Sequence, residues 1–81
     1  MTDPIIKFAG GKRVAVEPDK ALVTIRGKHH VERVPFDRLD SRMALYKSLH
    51  AKRPKFYLDA IKAVQAAQDV VADLTSRGAT P

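Results

Sequence analysis

The sequence contains no cysteine and no tryptophan. Without thiols, neither disulfides nor thiolate zinc sites can reinforce the chain. Its 81 residues make one small domain, a size at which a single apolar core is only just sufficient. Such a domain gains from burying a face against a second copy or another partner. No apolar run approaches the length of a membrane helix, which argues against membrane partners. The opening residues do not read as a secretory signal, because Lys7, Gly10 and Gly11 interrupt their apolar stretch. Paired carboxylates and a serine or cysteine nucleophile context are missing too, so no catalytic residue is assigned. The expectation is one soluble, cytoplasmic, non-enzymatic domain over residues 1–81, of bacterial or phage type and without a cofactor.

What the chain does have is positive charge, unevenly placed. The formal net charge is +6. Residues 26–55 hold nine lysines and arginines against Glu32, Asp37 and Asp40, so this middle segment carries the whole excess. His29, His30 and His50 lie in it as well. A basic field concentrated in part of a domain favours polyanions, nucleic acid before an acidic protein surface.

The first half reads as strands, a β-meander of three to four antiparallel strands over 5–34. "IIKF" and "VAV" are apolar runs around the glycine-rich "AGGKR". A five-residue loop would set Phe8 opposite Val14 and Ile6 opposite Val16. A two-residue Gly10-Gly11 turn would set Phe8 opposite Arg13. The longer loop is expected, because it collects one apolar face. "EPDK" breaks the chain, and "ALVTIR" follows with Ala21, Val23 and Ile25 on one face. A turn at "GK" then returns as "HHVERV".

The second half reads as two antiparallel α-helices, so the fold class is α+β. The first, over 37–52, has Asp37 as its cap and Asp40 near its positive end. Leu39, Met43, Tyr46 and His50 share its apolar arc, with Leu45 and Leu49 alongside. Pro54 ends one helix and starts the next, since proline disfavours helical angles before it and suits a first turn. The second helix, over 54–77, has a broad apolar face from Phe56 and Tyr57 through Ala60, Val64, Ala67 and Val70 to Leu74. Asp73 and Arg77 are spaced to pair. That face is wide enough to cover the sheet and the first helix together, or to make a homodimer. Residues 78–81 read as a flexible tail. A ribbon-helix-helix arrangement with "HHVERV" as the ribbon is a weaker alternative.

These placements sort the candidate site residues. The elbow "YKSLHAKRPKFY" mixes cations with aromatic residues, but helical spacing assigns Tyr46, Phe56 and Tyr57 to the core. Lys47, Lys52, Arg53 and Lys55 remain exposed around the start of the second helix. There the Phe56 and Tyr57 amides favour an anion. Arg26 and Lys28 project from the hairpin tip "RGKHH", and "AGGKR" adds Lys12 and Arg13. That loop lacks the glycine spacing and hydroxyl of a nucleotide-binding loop. The histidines make no metal site, because neighbours on a strand point to opposite faces and no cysteine supports them.

The stretch "LVTIRGKHHVERVP", residues 22–35, is similar to the region around the catalytic histidine of HicA-type mRNA interferase toxins. There a strand runs into a glycine, a polar residue and histidine, with Lys28 standing here where the family has serine. The resemblance implies ribonuclease activity with His29 as the catalytic residue. The leading expectation is binding of nucleic-acid phosphates (DNA or RNA) by Arg26, Lys28, Lys47, Lys52, Arg53 and Lys55. Its rival is an interaction module, such as a phage-encoded inhibitor or assembly subunit, that grips an acidic protein.

Overall fold

A computed structural model describes residues 3–78, and side chains as far as Thr75. Strands β1 (Ile5–Ala9), β2 (Lys12–Glu17), β3 (Leu22–Arg26) and β4 (Val31–Pro35) form one antiparallel sheet in the order β1-β2-β3-β4. Helices α1 (Leu39–Lys52) and α2 (Pro54–Gly78) follow. The α+β class, a β-meander and then two helices, is the one the sequence pattern predicts.

The first hairpin differs from expectation. Its turn is the two-residue Gly10-Gly11, so Phe8 lies opposite Arg13 and Ile5 opposite Val16. Both glycines have positive φ, +59° and +72°. This is the backbone handedness that matches the twist of a tight hairpin, and glycine reaches it without steric cost. Turn chemistry overrides the tally of apolar pairs, and Phe8 is left on the far side of the sheet.

Between β2 and β3, Pro18–Lys20 form one 3-10 turn. Ala21 adopts a left-handed conformation (φ 50°), so it precedes the strand instead of sharing a face with Val23 and Ile25. Its carbonyl accepts the Phe36 amide at 2.9 Å, which ties this turn to the exit from β4. The β3–β4 loop is Gly27–His30, closed by the Gly27 amide donating to the His30 carbonyl at 2.7 Å. His29 and His30 therefore stand in the loop and not in the strand.

Alternation decides the core. Val14, Val16, Val23, Ile25 and Val34 point to one face, where they are buried with Leu39 and Met43 of α1 and Ala63, Val64, Ala67 and Val70 of α2. Each fully buried valine contributes about 1.5–3 kcal/mol of burial. The small Ala63 and Ala67 let α2 approach the sheet, where it lies mainly over β1 and β2 while α1 lies against β4. The part of the α2 apolar arc that holds Ala63, Val64, Ala67 and Val70 is thus buried against the chain's own sheet and α1.

Helix boundaries follow proline chemistry more than capping. Arg53, in a non-helical conformation (φ −140°, ψ 76°), alone separates the helices. Asp37 does not cap α1. It lies in a 3-10 turn, Phe36–Arg38, and no side chain caps the helix. The tail beyond Gly78 and the Arg77 side chain expected to pair with Asp73 lie outside the described residues.

Candidate nucleic-acid interface

The chain geometry brings two separate basic segments to one end of the molecule. Lys12, Gly27 and His30, from the two hairpin tips, line a small cleft together with Tyr46 of α1 and Ala60 of α2. Gly10 packs against the Asp59 backbone. The hairpin tips therefore meet the helices near Tyr46 and Asp59. Six residues of helix on each side, about 9 Å, carry the α1–α2 elbow past the tips with no sheet beneath it. Arg26, Lys28, Lys47, Lys52, Arg53 and Lys55 are all exposed. Among the described residues, none of these six is paired with a carboxylate.

The overhang corrects the reading of the elbow aromatics. Phe56 is 71% exposed and Leu58 45% exposed, so Phe56 is not core. Tyr57 instead leans on Tyr46, their rings stacked with centroids 6.2 Å apart. An exposed aromatic residue thus stands in the first turn of α2, next in the chain to Lys55. The phosphate geometry changes as well. The Phe56 amide already donates to the Arg53 carbonyl at 3.2 Å, so it is not free for an anion.

Behind the hairpin tip lies a polar cluster that sequence reasoning missed. Glu32 pairs across the sheet with Ile25, so its carboxylate enters the layer between sheet and helices. The Tyr46 hydroxyl donates to Glu32 Oε2 at 2.5 Å. Arg42 Nε lies 2.9 Å from Oε1. That is an ion-pair distance without the alignment of a hydrogen bond, so Oε1 has a charge partner but no aligned donor. Burial, and then the hydrogen bond to Glu32 and its charge, push the Tyr46 phenol up from 10.0 to about 12. The cluster anchors α1 to β4 and removes the middle segment's one sheet carboxylate from the surface. A signal for it was available: Glu32 is two residues from Val34, and a carboxylate at a core-facing position calls for a partner.

His29 and His30 are exposed in the loop. No group of three or more metal-ligating side chains occurs among the described residues, and no helix is long and apolar enough to cross a membrane. The chain matches no protein-family model, no curated protein and no solved structure.

Proposed function

We propose that this domain binds nucleic acid without catalysing a reaction, mainly by neutralising phosphates at its tip-and-elbow end. The observation that carries the reading is the convergence of Arg26, Lys28, Lys47, Lys52, Arg53 and Lys55 on one end without carboxylate partners. Like charges held together on a fold are repulsive unless a counter-charge is supplied, and a polyanion supplies it by releasing its own counterions. Lys12 strengthens the same end, since its Nζ lies over Gly27, 2.8 Å from where a Cβ would stand. Contacts of this kind position a strand or duplex without reading its bases. Reversing the charge of Lys52, Arg53 and Lys55 to glutamate is expected to weaken binding to every sequence while the domain stays folded. Unchanged affinity in the folded triple variant rules the elbow out.

A second reading, an acidic protein partner, is favoured by one feature. Phe56 and Leu58 stand exposed beside the elbow cations and provide apolar anchors of the type found at protein interfaces. In that case Phe56→Ala and Leu58→Ala abolish capture of one specific protein, and generic DNA or RNA does not compete.

A further inference from the structure

The helices cover only one face of the sheet. On the other face, the register sets Phe8, Arg13, Arg26 and Val31 side by side in a row across all four strands. Arg33 lies on the same face, two residues along β4 from Val31. Phe8 is 77% exposed, the most exposed large apolar side chain among the described residues. Arg13 and Arg26 are directly opposite each other, an arrangement that destabilises a sheet unless a counter-charge sits over it. No described carboxylate does so: Glu17, also on this face, lies at the other end and pairs with Lys20 at 3.3 Å.

Resting on the nucleic-acid reading above, we infer that this open sheet face binds single-stranded nucleic acid, with a base stacked on Phe8 and the backbone held by Arg13, Arg26 and Arg33. The row spans about 14 Å at the usual strand spacing and runs beside the hairpin tips. A strand leaving Phe8 therefore passes over Arg26 towards Lys28. A phenyl ring on the edge strand with a line of guanidinium groups beginning at its one neighbour, Arg13, fits an unstacked base and its phosphates. It has nothing to stack on in a duplex, whose base faces are already covered by their neighbours.

The test uses the full chain and a labelled single-stranded RNA of mixed sequence, with the same sequence as a duplex for comparison. Phe8→Ala, which removes an exposed ring, is expected to melt like wild type and to bind the single strand about 10-fold more weakly, with duplex binding unchanged. Phe8→Leu is expected to bind as weakly as Phe8→Ala, and Phe8→Trp to restore affinity. The chain has no other tryptophan, so Phe8→Trp also reports directly, and its fluorescence should be quenched as the strand binds. Wild-type binding that Phe8→Ala leaves unchanged, or a bound strand that leaves the Trp emission unaltered, overturns the sheet-face inference while the phosphate reading stands. Failure of wild type to bind either nucleic acid overturns both.

Discussion

The Tyr46 hydroxyl donates a 2.5 Å hydrogen bond to Glu32, which joins the middle of α1 to the core-facing side of β4. The bond crosses from helix to sheet just behind the basic hairpin tip, so it fixes the spacing between the two halves of the candidate interface. Tyr46→Phe keeps the ring and its stack on Tyr57 but leaves Glu32 without its donor. The expected cost is about 1–3 kcal/mol, read as a lower urea midpoint with the slope unchanged.

The same contact gives the fold an alkaline limit. The Tyr46 phenol is raised from 10.0 to about 12 by burial and by Glu32. Its contribution is complete below pH 10 and is lost as the pH rises through about 12, because the unfolded chain releases the proton first. In Tyr57→Phe, the single remaining tyrosine is expected to ionise near pH 12 in an absorbance titration. Tyr46→Phe is expected to lack this tyrosine's part of the stability loss on the alkaline side.

The Gly10-Gly11 turn separates two costs that are usually confounded. Both residues have positive φ, but a Cβ on Gly10 would lie 2.4 Å from the Asp59 carbonyl oxygen, whereas one on Gly11 would meet open space. Gly11→Ala is expected to cost about 1–2 kcal/mol of backbone strain. Gly10→Ala is expected to cost clearly more, since α2 must also move. Equal melting temperatures for the two variants would argue against the close packing of turn and helix.

The exposed position of Phe56 makes a further contrast. Phe56→Ala is expected to change stability by less than about 0.5 kcal/mol. Val64→Ala, at a fully buried site on the same helix, is expected to cost about 2 kcal/mol. A large loss in Phe56→Ala would return that ring to the core and shorten the overhanging elbow.

The ribonuclease alternative yields its own outcome. Labelled RNA incubated with the protein is expected to remain intact, because the two histidines stand exposed in a loop and no paired acid and base is assigned. Cleavage that disappears in His29→Ala would establish the opposite.

The layout of the fold was readable because alternation and proline leave strong local marks. Val14/Val16, Val23/Ile25 and the Pro54 break each have a meaning confined to a few residues. The hairpin register was not readable by counting apolar pairs, since Phe8 and Ile6 match Val14 and Val16 well on paper. The positive φ values of Gly10 and Gly11 decide it. That choice also sets which residues share the outer face, so the row of Phe8, Arg13, Arg26 and Val31 could not be seen until the register was known. Phe56 was misplaced for a different reason. Helical periodicity tells which residues share a side, but not where the sheet beneath them ends.

Phosphate neutralisation at the tip-and-elbow end makes affinity fall with salt. The most direct measurement is a fluorescence-anisotropy titration of labelled duplex DNA and single-stranded RNA, at about 50 and 200 mM salt. Binding that weakens about 10-fold or more over that interval is the predicted result, because several phosphates release their counterions together. No binding of either ligand at the lower salt would contradict the account and assign the basic end to a protein partner or to solubility alone.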